Sequence, residues 1–247
     1  SLHETDGVFN EYQLPNAHFF DLKKVFSMQG AVFPNTALTP KDFENEARKL
    51  GINNTSCIVV YDDHGVYSSP RVWWLFRTMG YTNIAVLDGG FPAWKKANYP
   101  IEKKQIQDVE LGNFKASFEP EKLIDSEIVL ESVKNRSKQV VDARSKGRFN
   151  ATEPEPRKEI RSGHIPTSTN LPFSSLLNNT ELKSKEDLEQ LFKEVNPDSK
   201  EMIFSCGSGI TACVLALGAS IAGYKEMAVY DGSWTEWGSL THLPIEK

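Results

Sequence analysis

The stretch "EMIFSCGSGITACVLALGAS", Glu201 to Ser220, passes from an apolar strand pattern through a glycine-rich loop into a helix of small apolar residues. The run "EMIFS" predicts a strand, and the apolar run that follows predicts a helix beginning near Thr211. Cys206 stands between the two. A strand, a tight loop and a helix in this order are typical of a parallel α/β sheet, and such sheets bind ligands at the carboxyl ends of their strands.

The loop after this strand has the features of an anion-binding site. A helix N-terminus presents free N–H groups and a positive dipole, and Gly207 and Gly209 allow the loop amides to turn inward as a nest. Such a site stabilises a thiolate, the form of cysteine that attacks. The alternative is that Cys206 is a small buried residue, as free cysteines often are. We expect that alternative for Cys57, inside an apolar strand, and for Cys213, near the start of the helix.

The chain contains an internal repeat. The segments "CIVVYDD", "GY" and "VLDGGFPAW" (57–94) recur as "MIFSCG", "GY" and "VYDGSWTEW" (202–237), mostly at a constant offset of 143 residues. Two α/β domains are therefore predicted, each a parallel sheet flanked by helices. We place the first domain at 1–103, a polar linker at 104–113 and the second domain at 114–247. Only the second copy is preceded by the strand pattern "QVVDAR" (139–144), so the first domain is expected to lack its N-terminal strand.

Local signals define further elements. In "TPKDFENEARKLG", Thr39 is the expected N-cap, Pro40 the first helical residue and Gly51 the stop. Other helices are predicted in "PRVWWLFRTMG" (70–80), "PAWKKAN" (92–98), "KEDLEQLFKEV" (185–195), and "WTEWGSL" (234–240), and other strands in "IVVYD" (58–62), "IAVLD" (84–88) and "EMAVYD" (226–231). By the offset of 143, Asp63 corresponds to Cys206, and its loop contains no thiol. The first domain is therefore predicted to be non-catalytic.

Composition argues against several classes of function. A formal net charge of −5 and a sequence pI near 5.6 give no support to nucleic-acid binding. No apolar run approaches the roughly 18–20 residues that cross a membrane, so no membrane partner is expected. The five histidines show no metal-ligand spacing, and we expect neither a metal nor a cofactor. Three cysteines do not make a disulfide framework, which favours a reducing compartment, cytoplasmic or mitochondrial.

Several long motifs carry a family resemblance. The segments "CGSGITACVLALG", "YDGSWTEW", "VVDARSKGRFNATEPEPR" (140–157) and "SGHIPTSTNLPF" (162–173) resemble those of the 3-mercaptopyruvate sulfurtransferases, within the rhodanese superfamily. In the first half, "YSSPRVWWLFRTMGY" and "LDGGFPAW" do the same. The resemblance implies a tandem of rhodanese domains in which only the second forms a cysteine persulfide, in a cleft between the domains.

The resemblance also implies roles for individual residues. Cys206 becomes the nucleophile, and Ser208 matches a serine proposed to relay a proton beside it. Arg148 and Arg157 match the two arginines that hold the carboxylate and carbonyl of the substrate. The loop amides stabilise the negative sulfur, with Gly207, Gly209, Ile210 and Thr211 as the remaining binding residues, and Thr211 also suits the N-cap of the helix. The implied acceptors of the sulfur are thioredoxin, a small thiol or cyanide.

Two features bear on the choice of sulfur donor. Thiosulfate-preferring rhodaneses usually carry basic residues just after the cysteine, whereas this chain has Gly207 and Ser208, as mercaptopyruvate enzymes do. One departure concerns "FFDLKK", where Lys23 stands at the position of a family acidic residue thought to complete a relay. We expect Lys23 either to bring a positive charge towards the thiolate or to be a solvated surface lysine.

Other interpretations remain open at this stage. Thiosulfate is the alternative donor, and a catalytically weak rhodanese-fold binding module is an alternative of a different class. The two arginines could instead be loop charges paired with Glu153 or Glu155. A phosphatase on the same fold is disfavoured, because it needs an arginine six positions after the cysteine, where this chain has Ala212.

Overall fold

The computed structural model describes residues 11–105 and 108–247 of the chain. Its first half contains seven short elements: β1 (Tyr12–Gln13), α1 (Pro40–Lys49), β2 (Ile58–Val60), α2 (Ser69–Thr78), β3 (Ile84–Val86), α3 (Gly90–Lys96) and β4 (Glu102–Lys103). Strands β2 and β3 pair in parallel, and β1 pairs with β4 in antiparallel orientation. The predicted alternation of strands and helices is confirmed in this half.

Helix α1 begins and ends where the sequence predicts. The Thr39 hydroxyl accepts a hydrogen bond from the Asp42 amide, and Pro40 takes the first helical position, where its missing N–H costs nothing. Gly51 follows with a φ of +73°, in the left-handed region that glycine reaches without strain. The helix buries Phe43 and Ala47 against the core.

Strand β2 is less covered than its apolar sequence predicts. Cys57 is exposed, and Val59 is 56% exposed. Among the described strands, β2 pairs only with β3, and a cavity of about 520 Å3 borders β2 and the nearby Phe20 and Leu22. The expectation that Cys57 is buried is therefore wrong, because no described element covers its side of the strand.

The second half contains the larger sheet. The strands of this half are β5 (Leu123–Ile124), β6 (Gln139–Asp142), β7 (Thr169–Asn170), β8 (Leu177–Asn178), β9 (Glu181–Leu182), β10 (Met202–Ser205) and β11 (Met227–Tyr230). Its helices are α4 (Ser126–Asn135), α5 (Lys146–Phe149), α6 (Lys185–Val195), α7 (Ala212–Ile221) and α8 (Ser233–Ser239), with 3-10 turns at Pro120–Lys122 and Phe173–Leu176. The predicted strands and helices of this half are confirmed, with α6 matching the residues predicted.

Five of these strands form one parallel sheet in the order β5-β11-β10-β6-β7. Strand β10 lies at its centre, and all four of its residues are buried. Helix α7 packs beside it and is buried along most of its length. Gly218 lets this helix approach the 3-10 turn Phe173–Leu176 closely, because a Cβ there would lie 2.5 Å from Leu176 Cδ2. The central strand thus carries Cys206 to the carboxyl edge of the sheet.

The segment 108–119, which follows β4, packs against the first half of the chain. Phe114 is fully buried beside Phe43, Phe76 and Tyr81, with ring centroids 5.5–6.0 Å apart. The Glu119 amide still donates to a carbonyl of helix α2. We therefore propose that the second domain begins near Pro120 rather than at 114.

The two halves pack tightly against each other. Helices α2 and α7 are in contact, and the buried residues of both belong to one continuous apolar cluster. The β8–β9 hairpin also reaches the first half, where the Leu182 amide donates to Asp88 Oδ1 at 2.8 Å. None of the described helices is long and apolar enough to cross a bilayer. This packing brings residues of the first half to the Cys206 loop.

Candidate active site

The backbone of the Cys206 loop is oriented by helix α8. The Trp234 amide donates to Cys206 O and the Thr235 amide to Gly207 O, both at 2.9 Å. Because these carbonyls face α8, the amides that follow them turn towards the other side of the loop. Cys206 is only 2% exposed, so its thiol is almost fully shielded from solvent.

The loop amides form an open nest. Within the described part of the chain, the N–H groups of residues 207–211 donate no hydrogen bond to a protein acceptor. Gly209 has a φ of +79°, and a Cβ there would lie 2.8 Å from Asp231 O, so only glycine fits. Ile210 and Thr211 complete the loop, and Thr211 takes the N-cap position without a capping bond from its hydroxyl. Such unpaired amides are suited to a negatively charged ligand atom.

Ser233 supports the cysteine from helix α8. Its Oγ accepts from the Cys206 amide at 3.1 Å and lies 2.9 Å from Tyr230 O and 3.9 Å from Cys206 Sγ. Ser233 is fully buried with a φ of +50°, and Gly90 has a similar φ of +52° at the equivalent point of the repeat. The sequence analysis missed this residue, although the contrast between "DGSW" and "DGGF" is visible in the repeat.

Ser208 is contacted from the first half of the chain. Asn35 Nδ2 donates to Ser208 Oγ at 2.9 Å and to Ser208 O at 3.3 Å. Lys23 is exposed, and its described contact is a backbone one, from Gln29 to Lys23 O. The residue that the structure brings beside Ser208 is thus Asn35 and not Lys23.

Arg148 lies against Gly207, where a Cβ would come within 3.3 Å of its Nη2. Its Nη2 also donates to Glu155 Oε2 at 2.6 Å. The Glu155 side chain is only 3% exposed and binds Arg144 as well, which in turn pairs with Asp142. The ion pair considered from the sequence therefore exists, but it is a buried anchor that fixes the guanidinium beside the loop.

Arg157 is anchored to the same loop residue by another route. Its Nη1 donates to Thr235 Oγ1 at 3.0 Å, and that hydroxyl donates to Gly207 O at 2.5 Å. Arg157 itself is exposed. The structure thus brings Arg148 into contact range of Gly207, the residue after Cys206, and links Arg157 to Gly207 through Thr235.

Arg71 of helix α2 lies behind the loop. It is 1% exposed and donates through Nη2 to Asp231 Oδ1 at 2.5 Å. Burial alone would lower the pKa of Arg71, but the Asp231 carboxylate outweighs it and raises that pKa above its ordinary value. Burial raises the pKa of Cys213 to about 12, so this thiol stays protonated and, as predicted, is a buried packing residue.

Tyr67 reaches the cleft from the loop after β2. Its ring packs edge-on against Phe173, with centroids 5.6 Å apart. Burial raises the pKa of Tyr67, and negative charge at Cys206 raises it further, while Arg148 opposes the shift. Its hydroxyl is therefore within electrostatic reach of both residues. Tyr67 opens the motif "YSSPRVWWLFRTMGY", but the sequence assigned it no role in the site.

The first half has its own version of the loop, with a carboxylate inside it. Asp62 Oδ2 accepts from the amides of Tyr67, Ser68 and Ser69 at 2.8–2.9 Å, and Oδ1 accepts from His64 N. Asp62 O accepts from the Phe91 amide as Cys206 O does from Trp234. Asp62, rather than the predicted Asp63, is therefore the counterpart of Cys206.

These groups define what the site can do. A buried thiol begins a loop of unpaired amides, and Arg148 and Arg157 are both held near Gly207, the next residue. The site therefore suits a nucleophilic thiolate and an anionic substrate. Within the described residues, no group of three or more His, Cys, Asp or Glu side chains is placed to hold a metal ion.

Comparisons with known proteins agree with this architecture. The family model described as a rhodanese-like domain matches residues 5–97 and 126–240. The 3-mercaptopyruvate sulfurtransferase of Mus musculus is 42% identical over 233 residues, which cover 93% of this chain and 78% of the relative. The mitochondrial thiosulfate/3-mercaptopyruvate sulfurtransferase 1 of Arabidopsis thaliana is 39% identical over 268 residues, covering 98% of this chain and 70% of the relative.

Solved structures give the same result. The Tum1 protein of Saccharomyces cerevisiae superposes with a TM-score of 0.86 at 30% identity, over 97% of this chain and 84% of that one. SseA of Escherichia coli, described as a 3-mercaptopyruvate sulfotransferase, gives a TM-score of 0.81 at 33% identity, over 92% of this chain and 84% of that one. The predicted fold and the predicted family are confirmed.

Proposed function

The chain belongs to the rhodanese-like domain family, and we propose that it is a sulfurtransferase that takes sulfur from 3-mercaptopyruvate through a persulfide on Cys206. The observation that carries this proposal is the position of Cys206 in a loop whose amides are open and whose flank holds Arg148 and Arg157. The mouse and E. coli relatives, both named for this activity, support it.

The first half-reaction loads the cysteine. The Cys206 thiolate attacks the sulfur of 3-mercaptopyruvate and forms an S–S bond. The C–S bond of the donor breaks, and its electron pair leaves with the carbon as the enolate of pyruvate, which then takes up a proton. The loop amides of 207–211 stabilise the negative charge on sulfur as the bonds exchange. Cys206 supplies the inner sulfur of the persulfide and the donor supplies the outer one. Because the departing carbon keeps the electron pair of the C–S bond, no oxidant is needed.

The second half-reaction unloads it. An acceptor thiolate attacks the outer sulfur of the Cys206 persulfide, and the electron pair of the S–S bond returns to Cys206. The free thiolate is thereby regenerated, and the acceptor leaves as a persulfide. Cyanide accepts in the same way and leaves as thiocyanate. Thioredoxin or a small thiol is the proposed acceptor, and the cytoplasm or the mitochondrion is the proposed location, the latter in keeping with the Arabidopsis relative.

The charges around the loop favour a carboxylate donor over thiosulfate. Glu155 offsets the charge of Arg148, and the loop itself carries Gly207 and Ser208 in place of cations. This leaves Arg157 as the charge best placed to attract a substrate carboxylate. One such cation suits a carboxylate donor, whereas a dianion such as thiosulfate would need more positive charge. Thiosulfate remains the alternative donor, since the Arabidopsis relative is named for both and a Gallus gallus relative for thiosulfate alone.

Steady-state rates with 3-mercaptopyruvate and thiosulfate, measured side by side, test the proposal. The parent protein should turn over 3-mercaptopyruvate with the higher kcat/KM, and Cys206→Ser should abolish turnover of both donors with the fold intact. Cys57→Ser is the matched control and should stay active, because Cys57 is exposed just before β2 and is not part of the Cys206 loop. Turnover near the parent rate in Cys206→Ser would contradict the assignment. A parent with no activity towards either donor would instead favour the rhodanese-fold binding module.

A further inference from the structure

The contact between Asn35 and Ser208 has a defined direction. Asn35 Nδ2 lies 3.3 Å from Ser208 O, and a carbonyl oxygen can only accept. This second contact fixes the orientation of the amide, so the bond of 2.9 Å to Ser208 Oγ is also one in which Asn35 donates. The Ser208 hydroxyl therefore accepts from Asn35, and its own hydrogen is left over. In the described part of the chain, no acceptor contacts that hydrogen.

Asn35 is itself held firmly in place. Its φ is +60°, in the left-handed region that asparagine tolerates better than most residues. Arg71 Nη2 donates to Asn35 O at 3.0 Å, and two residues on, the Ala37 amide donates to Asp231 Oδ2 at 2.9 Å. Arg71 is almost fully buried and binds Asp231 as well. The backbone around Asn35 is thus fixed by Arg71 of the first half and, two residues on, by Asp231 of the second half.

We propose that Asn35 is a positioning residue that sets Ser208 as a hydrogen-bond donor into the cleft. The hydroxyl then points at an oxygen of the bound sulfur donor that gains negative charge as the enolate leaves. A bond of this kind strengthens as the charge develops, so it favours the transition state over the bound substrate. The inference rests on the proposed function, since it assigns a role within that reaction. It gives the first half of the chain a part in the chemistry without a nucleophile of its own.

Asn35→Asp reverses the direction of the bond. A carboxylate can only accept, so it takes the Ser208 hydrogen away from the cleft, and aspartate tolerates the same backbone conformation. We expect kcat for 3-mercaptopyruvate to fall roughly ten- to a hundredfold, with little change in KM. Ser208→Ala should show a loss of similar size. Asn35→Gly keeps the backbone conformation without the side chain and should lose less than Asn35→Asp, because the hydroxyl can still point at the donor part of the time.

A double-mutant cycle separates this effect from a simple effect of charge. In the Ser208→Ala background, Asn35→Asp should cause no further loss of kcat, and the alkylation rate of Cys206 should match that of the parent. A loss that persists in that background, or alkylation that slows in parallel, would overturn the proposal, since the new charge would then act on the thiolate directly. So would an Asn35→Asp variant with the parent kcat.

The same cycle also has a readout that does not depend on turnover. The free energies of unfolding of the parent, Asn35→Gly, Ser208→Ala and the double variant report whether the two side chains are coupled. Non-additive losses are expected, and additive losses would overturn the contact itself. A parent that turns over neither donor but shows this coupling would count against the proposed function while leaving the Asn35–Ser208 bond established.

Discussion

The loops after β2 and β10 share one architecture and differ in what fills it. Asp62 receives four backbone amides on its carboxylate, with the Ser69 hydroxyl as a further donor. The equivalent amides of 207–211 meet no protein acceptor among the described residues, and a thiol stands in the place of the carboxylate. The first loop is an anion site occupied by its own chain, whereas the second is left open.

This difference shows how one fold gives two outcomes. A strand, a loop and a helix N-terminus create a nest for negative charge in both halves. With a built-in carboxylate, the nest stabilises the fold and binds nothing else. With a cysteine, the nest is available to a thiolate and the sulfur that it receives. The equivalent residue on the neighbouring helix differs as well: it is Gly90 in the first half and Ser233, which contacts Cys206, in the second.

The largest effect, on the free energy of unfolding, is expected from removing the carboxylate of the first loop. Asp62→Ala removes a nearly buried carboxylate and leaves several amides without an acceptor. We expect the free energy of unfolding to fall by about 2–4 kcal/mol, as measured by denaturant titration. Asp62→Asn, which keeps the shape and loses the charge, should cost less. A loss within experimental error for Asp62→Ala would mean that the carboxylate does not stabilise this loop.

Arg157→Ala tests the second loop as an anion site for a carboxylate donor. Removing the guanidinium should raise the activation free energy for turnover of 3-mercaptopyruvate, calculated from kcat/KM, by about 1.5–3 kcal/mol. The kcat/KM for thiosulfate should fall less. The neighbouring Lys158→Ala, also at an exposed cation, is the matched control and should leave both donors unaffected. Equal losses with the two donors would show that Arg157 does not hold the carboxylate.

A smaller effect concerns the thiol behind the open loop. The pKa of Cys213 is about 12 in the folded state against an ordinary value of 9.0, so the folded state keeps the thiol proton to higher pH than the unfolded state does. The resulting stability is complete below about pH 9 and is lost as the pH rises towards 12. At pH 10 the parent should have lost about 1.4 kcal/mol through this group relative to pH 7.

Cys213→Ala is the comparison that isolates this group. The variant is less stable at neutral pH because it lacks the buried sulfur, but its unfolding free energy should decline less steeply above pH 9 than that of the parent. Parallel curves for the two proteins would show that Cys213 ionises in the folded state as easily as in the unfolded one.

Local patterns in the sequence predicted most of the fold. Helix α1 follows from Thr39 and Pro40, and the strand–loop–helix around Cys206 follows from apolar runs and glycines. The offset of 143 was one residue off at Cys206, because the loop 63–68 is one residue longer than the loop 207–211. Cys57 was misplaced because an apolar strand pattern does not report whether a neighbour covers the strand.

The site residues that the sequence could not predict lie in the first half of the chain, whereas Cys206 lies in the second. Asn35 meets Ser208 across 173 residues, and Arg71 meets Asp231 across 160. Such contacts depend on how α2 packs against α7, which no local pattern encodes. Tyr67 reaches the cleft for the same reason. Arg148 could be found by its resemblance to the family, but its anchoring by a buried Glu155 depends on tertiary structure.

The location of the transferred sulfur tests the difference between the two loops most directly. The parent protein would be treated with 3-mercaptopyruvate in the absence of an acceptor, then alkylated, digested and analysed by mass spectrometry. The account predicts one added sulfur, confined to the peptide that contains Cys206, and its loss on later exposure to cyanide. Sulfur on Cys57 instead, or an equal gain in Cys206→Ser, would contradict it.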